Sequence, residues 1–268
     1  MRATLFDATG SGNNIDLGTL GGDESEALSI SSAGQIVGWS YNGQGKYRAT
    51  LFDSTGTGNN IDLCTLGGDE GWAFSINSAG QIVGWSYNSH GRATLFDPTG
   101  AGNNIDLGTL GGDDSAAWSI NSAGQIVGYA NDIQGNVYAT LFDATGAGNN
   151  IDLGTLGGYE GSLACSINSA GQIVGRDFNS QGIPYATLFD PTGSGNNIDL
   201  NSLIDPASGW ILDRASCIND SGWIVGYGIN PEGKGHAFLL VPEIGTLLLL
   251  GSGFIGMRVA HRTRRRMG

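Results

Sequence analysis

The sequence predicts an all-β protein made of tandem four-stranded repeats, and we expect those repeats to form a β-propeller. The segment Ala-Thr-Leu-Phe-Asp occurs five times, at successive spacings of 46, 44, 46 and 47 residues. Each unit between two copies offers four apolar runs of four to seven residues, bounded by Gly, Asn, Asp or Ser, which is typical of short strands and turns. None of these runs is long enough for a helix, and four strands in about 45 residues is the pattern of a propeller blade.

The order of motifs is constant within each unit. A Gly-x-Gly-Asn-Asn segment follows the Ala-Thr-Leu-Phe-Asp strand, and we expect a tight hairpin there because Gly and Asn tolerate positive φ. A glycine pair, first seen at Gly21 and Gly22, predicts a second reversal of the chain direction in each unit. Two further strands are predicted from the Ala-x-Ser-Ile-Asn and Gly-Gln-Ile-Val-Gly segments, which complete the four-stranded unit.

The chain begins within a unit, because Met1 and Arg2 lie directly before the first Ala-Thr-Leu-Phe-Asp strand. If the Ala-x-Ser-Ile-Asn run is the innermost strand, the body contains two strands, four full units and three more strands, or 21. This number lies between five and six blades. A ring could close if the last strands pair with the first two, but the start within a unit indicates an incomplete or truncated copy with further sequence upstream. A β-solenoid is the rival architecture, although solenoid rungs are usually shorter than this unit.

Charge is distributed very unevenly along the chain. Residues 1–243 hold seven Lys and Arg against all 25 Asp and Glu, a net charge of −18, whereas five arginines lie within the last eleven residues. So acidic a body repels nucleic-acid phosphates and anionic membrane surfaces. We therefore predict that the protein does not bind nucleic acid.

Chemistry-bearing residues form no recognisable catalytic motif. Cys64, Cys165 and Cys217 fall at different places in the repeat, so no disulfide framework is predicted. The residues that break the repeat are His90, Arg176, Asp177, Trp210, Asp213, Arg214, His236 and His261. They match no known nucleophile, metalloprotease or phosphate-binding signature, and we predict no enzyme and no cofactor. Glycoside hydrolysis is kept as a second alternative, because 25 acidic residues allow many carboxylate pairs.

Pairs of acidic residues follow the glycine pairs and suggest a speculative cation site. They are Asp23 and Glu24, Asp69 and Glu70, Asp113 and Asp114, with a weaker copy at Tyr159 and Glu160. In a propeller these loops emerge on one face, where carboxylates could hold Ca²⁺ weakly. Their spacing matches no known calcium loop, so solvated turn residues are the favoured interpretation.

Aromatic residues recur at fixed positions after the Gly-Gln-Ile-Val-Gly strand. One column contains Trp39, Trp85, Tyr129 and Tyr227, interrupted by Arg176, and a second contains Tyr41, Tyr87 and Phe178. Such columns usually pack between neighbouring repeats. Stacking on sugar rings is the alternative.

The body, residues 1–241, resembles the HAF repeat family of bacterial extracellular proteins. The resemblance is carried by Leu-Gly-Thr-Leu-Gly-Gly, Ala-x-Ser-Ile-Asn and Gly-Gln-Ile-Val-Gly, and by a single His-Ala-Phe at residues 236–238. It implies an extracellular repeat protein without assigned chemistry.

The C-terminal segment, residues 242–268, resembles a PEP-CTERM sorting tail, which implies recognition by an exosortase-like enzyme. The sorting motif comprises Val241, Pro242 and Glu243, with Ile244 where the family has a second proline. An apolar helix is predicted over residues 245–260, with its membrane segment at Gly245, Thr246, Leu247, Leu248, Leu249, Leu250, Phe254 and Ile255. The basic tail, residues 261–268, carries a stop-transfer cluster at Arg262, Arg264, Arg265 and Arg266.

The apolar segment also fits a membrane anchor on physical grounds. The 17 residues from 244 to 260 span about 25 Å as a helix, just short of a bilayer core of about 30 Å. The arginine cluster is expected to stay cytoplasmic and to leave the acidic body outside. We therefore predict an exported, surface-displayed, non-catalytic protein with a binding or structural role in extracellular polysaccharide. The alternative is a carbohydrate- or Ca²⁺-binding adhesin.

Overall fold

The computed structural model describes residues 1–157, residues 161–242 and the backbone of residues 257–259. The chain divides into two units, Met1–Leu153 and Gly154–Gly268, and each is described by itself. Within both units the described residues form antiparallel sheets in which strands adjacent in sequence pair with each other.

Unit one contains a two-stranded sheet followed by three four-stranded sheets. Sheet 1 is β1 (Thr4–Leu5) and β2 (Ile15–Asp16). Sheet 2 is β3 (Gly21–Ile30), β4 (Ile36–Asn42), β5 (Tyr47–Phe52) and β6 (Ile61–Asp62). Sheet 3 is β7 (Gly71–Ile76), β8 (Ile82–Tyr87), β9 (Gly91–Phe96) and β10 (Ile105–Asp106). Sheet 4 is β11 (Gly111–Ile120), β12 (Ile126–Asp132), β13 (Val137–Phe142) and β14 (Ile151–Asp152).

Unit two contains two more sheets of the same kind. Sheet 5 is β15 (Ser162–Ile167), β16 (Ile173–Phe178), β17 (Pro184–Phe189) and β18 (Ile198–Asp199). Two short 3₁₀ helices follow, η1 (Leu200–Leu203) and η2 (Pro206–Ser208). Sheet 6 is β19 (Ile211–Ile218), β20 (Ile224–Ile229), β21 (Gly235–Pro242) and β22 (Met257–Val259). The all-β class and the four-stranded repeat are thus confirmed.

The strands of the described residues follow the order that the sequence predicts. Two strands precede four sheets of four, and three body strands, β19 to β21, come last. The additional strand β22 pairs with β21 and occupies residues for which the sequence predicts an apolar helix. No helix among the described residues is long and apolar enough to cross a bilayer. Most of the predicted sorting tail, including Glu243, the leucine run and the arginine cluster, lies outside the described residues.

Each apolar core is shared between two consecutive sheets. The core between sheets 2 and 3 joins Val37, Ala49 and Leu63 to Ile76 and Ile82. Corresponding cores lie between sheets 3 and 4 and between sheets 5 and 6. A fully buried Leu or Ile contributes about 1.5–3 kcal/mol relative to an exposed one, so a single sheet loses much of its stabilisation without its neighbour.

A β-bulge in the first strand of each full sheet explains the last glycine of Gly-Gln-Ile-Val-Gly. In sheet 3 the register shifts between Ala73 and Ser75, and the chain of β7 comes close to Gly84. A Cβ at Gly84 would lie 1.9 Å from the carbonyl oxygen of Trp72. The residue must therefore be glycine for lack of space, not for a positive φ.

The Gly-x-Gly-Asn-Asn segment is part of a longer loop, so the predicted tight hairpin is wrong. In the loop from Asp97 to Asn104, the Asp97 carboxylate accepts hydrogen bonds from Thr99 and Asn103. The side chain of Asn104 accepts from Asp97 N at 2.8 Å and donates to Leu63 O of sheet 2 at 2.9 Å. The asparagines are thus selected for hydrogen bonding and not for positive φ, which among described non-glycine residues occurs only at Cys64.

We expect Asn104→Ala to lower the free energy of unfolding by about 1–3 kcal/mol, because it leaves the buried carbonyl of Leu63 without that donor. Asn103→Ala is the matched control: its side chain bonds only within the exposed loop, and its effect should stay below about 0.5 kcal/mol. Urea denaturation of both variants measures the difference. Equal effects would contradict the assigned role of Asn104.

Cys64 adopts the left-handed conformation, with φ of 63°, where three sister copies have Gly18, Gly108 and Gly154. A side chain in this region costs about 1–2 kcal/mol. We expect Cys64→Gly to raise the free energy of unfolding by about 1 kcal/mol, as measured by thermal or urea unfolding under reducing conditions. A loss of stability would show that the Cys64 thiol, 3.4 Å from Gly100 O, matters more than the backbone strain.

Candidate functional site

A continuous group of aromatic side chains extends from sheet 2 to sheet 3 and is called the aromatic cluster here. Its members are Trp39, Tyr41, Tyr47, Trp72, Trp85 and Tyr87. The ring centroids of Tyr47 and Trp72, which come from different sheets, lie 4.6 Å apart. Five of the six side chains are half-buried and Tyr87 is exposed, so ring surface remains available to solvent.

The sheet register places these rings together. Tyr41 pairs directly with Tyr47 across β4 and β5, and Trp72 pairs with Trp85 across β7 and β8. The absence of a side chain at Gly91 leaves room for the Trp85 ring, because a Cβ there would lie 2.1 Å from Trp85 Nε1. Within the aromatic cluster, the column residues contact rings of their own sheet, such as Trp39 on Tyr41 and Trp85 on Tyr87. The ring contact between sheets 2 and 3 is made by Tyr47 and Trp72, which lie outside the predicted columns.

Carboxylates border the aromatic cluster. Trp39 Nε1 donates to Glu26 Oε2 at 2.9 Å. A hydrogen bond with Tyr47, assisted by burial and by the negative charges of Glu24 and Glu70, raises the pKa of Tyr41 to about 12. The phenol of Tyr41 thus stays neutral at physiological pH. The surface combines partly exposed aromatic rings with neutral hydroxyl groups and nearby hydrogen-bond acceptors.

The predicted acidic pairs contact the preceding sheet and do not converge on one point. Glu24 accepts from the N-terminal amine at 3.1 Å, Asp69 lies 3.5 Å from Lys46 Nζ, and Asp114 accepts from Gly91 N at 2.9 Å. The main-chain oxygen of Asp113 accepts from Arg92, and Glu160 lies outside the described residues. In the described part of the chain, no three His, Cys, Asp or Glu side chains are placed to hold a metal ion. Calcium binding by these pairs stays a prediction.

Unit two contains a pocket of about 270 Å³ at the repeat-breaking residue Asp177. Its described lining comprises Leu156, Asp177, Phe178, Asn179, Tyr185 and Asp199. Asp177 is only 1% exposed; its Oδ2 accepts from Leu156 N, and its Oδ1 has no hydrogen-bond partner. Burial, together with the charge of Asp199, raises the pKa of Asp177 to about 6 against the hydrogen bonds from Leu156 and Phe178 that lower it.

The neighbouring residue Arg176 is not part of the described pocket lining. Its guanidinium carbon is 4.9 Å from the centroid of the Phe178 ring. Burial raises the pKa of Asp213, and the positive charges of Arg176 and Arg214 oppose this shift. Of the other repeat-breaking residues, Trp210 and His236 form an edge-to-face pair at 6.3 Å. Among the repeat-breaking residues that the structure describes, which exclude His261, no nucleophile lies next to a base.

Two features escaped the sequence analysis. Tyr47 and Trp72 complete the aromatic cluster, but they lie outside the predicted columns because the register was unknown. Asp177 was recognised as a departure from the repeat, but not its pairing with Tyr185 across β16 and β17. A comparison of the cross-strand partners at equivalent positions of successive repeats would have shown both features.

Comparison with protein-family models, with curated proteins and with solved structures finds no match to this chain. The geometry of the aromatic cluster and of the Asp177 pocket is therefore the basis for the functional argument.

The raised pKa of Asp177 predicts a pH-dependent stability of unit two. Because the folded pKa, about 6, exceeds the unfolded value of 3.8, the stabilisation linked to this proton is complete below about pH 4. It is lost as the pH rises through 6. Asp177→Ser retains an acceptor for Leu156 N, as Ser40 accepts from Leu20 N. At pH 7.5 we expect the free energy of unfolding of this variant to exceed that of the wild type by on the order of 2 kcal/mol.

At pH 4 the two proteins should be nearly equally stable. Urea denaturation at both pH values measures the difference, with Asp113→Ser, at an exposed carboxylate of unit one, as the control. A stability difference between Asp177→Ser and wild type that is the same at pH 4 and 7.5 would refute the assignment of the proton to Asp177.

Proposed function

We propose that this protein is an exported, surface-displayed, non-catalytic repeat protein that binds extracellular polysaccharide through the aromatic cluster. The observation that carries the proposal is the unbroken set of partly exposed rings across sheets 2 and 3. Aromatic faces carry partial negative charge and attract the C–H groups of a sugar ring. The bordering Glu24, Glu26 and Glu70 can accept hydrogen bonds from sugar hydroxyls.

Display at the cell surface is supported by the sequence pattern. The sorting-tail resemblance of residues 242–268 and the strongly acidic body fit a protein that is processed by an exosortase-like enzyme and held at a membrane. The repeated four-stranded sheets are, in this proposal, the blades of a propeller. The HAF-like motifs are consistent with an extracellular location.

Replacement of the central rings tests this function. We expect Trp72→Ala and Trp85→Ala each to weaken polysaccharide binding by the full chain at least tenfold, or about 1.4 kcal/mol, since each removes a stacking surface. Trp223→Ala is the control, because Trp223 is an exposed tryptophan in unit two, outside the aromatic cluster. Glycan arrays, followed by titration with the best ligand, measure the effect.

Unchanged binding in both cluster variants, or equal loss in Trp223→Ala, would contradict the assignment. A glycosidase assay on the same glycans separates binding from catalysis. Turnover would overturn the non-catalytic role.

A further inference from the structure

We propose that the pocket lined by Asp177, Tyr185 and Asp199 in unit two binds a small organic cation, an ammonium or guanidinium group. This site is separate from the aromatic cluster, and the proposal does not depend on polysaccharide binding. It follows from a comparison of sheet 5 with the equivalent positions of sheets 2 and 3.

Sheets 2 and 3 place an ion pair at this position. In sheet 2, Arg48 lies opposite Ser40 across β4 and β5, and its Nε donates to both oxygens of Asp62 at 3.2 and 2.9 Å. In sheet 3, Arg92 binds Asp106 in the same way at 3.2 and 3.1 Å. The carboxylate on the fourth strand is therefore positioned to receive a guanidinium.

Sheet 5 retains the acceptor and lacks the cation. Tyr185 stands where sheet 2 has Arg48, and Asp177 stands where it has Ser40. Among the described residues, no ion pair joins Asp177 or Asp199 to a basic side chain. The local formal charge thus changes from zero, for Arg48 with Asp62, to −2 for two carboxylates that line one pocket.

The protein supplies no hydrogen-bond donor for one of the two oxygens of the Asp177 carboxylate. Asp177 Oδ1 is buried without a hydrogen-bond partner, and an unpaired buried charge is strongly unfavourable. A bound cation would provide the missing donor and neutralise the two acids. It would also lower the pKa of Asp177, so binding and deprotonation should favour each other.

The pocket fits an organic cation better than a metal ion. Its volume of about 270 Å³ is large for a bare ion, and Ca²⁺ takes about six to eight oxygen ligands. No third His, Cys, Asp or Glu joins the two carboxylates among the described residues. The Tyr185 ring supplies an aromatic wall of the kind on which ammonium and guanidinium groups stack.

Calorimetric titration of the full chain at pH 7.5 and constant ionic strength tests the proposal. The probes are methylguanidinium chloride, glucosamine hydrochloride, neutral N-acetylglucosamine and calcium chloride. We expect one molecule of methylguanidinium or glucosamine to bind per chain, with an affinity that falls about tenfold at pH 5, where Asp177 is protonated. Stronger binding of methylguanidinium would indicate an arginine-like group as the natural ligand, and stronger binding of glucosamine an amino sugar.

Three variants connect the binding to the residues. Asp177→Ser should weaken binding at least tenfold. Tyr185→Arg should abolish it by supplying an internal guanidinium to Asp199, while raising the thermal stability, so the loss cannot be ascribed to unfolding. The double variant Ser86→Asp, Arg92→Tyr should create a second site in sheet 3 and raise the stoichiometry to two.

The proposal is overturned if neither organic cation binds, or if Asp177→Ser binds as tightly as wild type. It is also overturned if N-acetylglucosamine binds as well as glucosamine, because the positive charge would then be irrelevant. Tighter binding of Ca²⁺ than of either organic cation would identify a metal site instead.

Discussion

Within each unit, the apolar face of a four-stranded sheet has to be covered by a neighbouring sheet, and most other features of the molecule follow from this constraint. Within each unit, the first strand of a sheet packs against the middle strands of the preceding sheet, as β7, β11 and β19 do, and the core residues come from both. Polar contacts reinforce the same boundary: Ile76 N donates to Ser29 Oγ, and Ile120 N to Ser75 Oγ. Repetition of one motif therefore repeats the interface as well as the sheet.

This constraint separates structural positions from functional ones. The residues on which the copies agree, such as Leu63, Gly84 and Asn104, form the cores, bulges and inter-sheet hydrogen bonds. Two positions at which the copies differ hold Trp72, in the half-buried aromatic cluster, and Asp177, which lines a pocket. Our two binding proposals both rest on positions of the second kind, one on an aromatic surface in unit one and the other on a carboxylate pocket in unit two.

Strand number and order could be predicted from the sequence because the period, the turn residues and the β-branched runs all indicate one unit. The asparagines were misinterpreted, since a sequence does not show that Asn104 bonds to Leu63 from the preceding sheet. The aromatic columns were predicted in part, but the contribution of Trp72 depends on the packing of β7 against sheet 2. The Asp177 pocket could not be predicted without the cross-strand register, which alone shows that Asp177 faces Tyr185.

The central claim is that neighbouring sheets of unit one stabilise each other and do not fold independently. Native-state hydrogen exchange, followed by mass spectrometry of the full chain in increasing denaturant, tests this most directly. The account predicts that the amides of β4, β8 and β12 open with free energies within about 1 kcal/mol of one another and with a shared dependence on denaturant. Rapid exchange throughout β8 while β4 and β12 stay protected would contradict it.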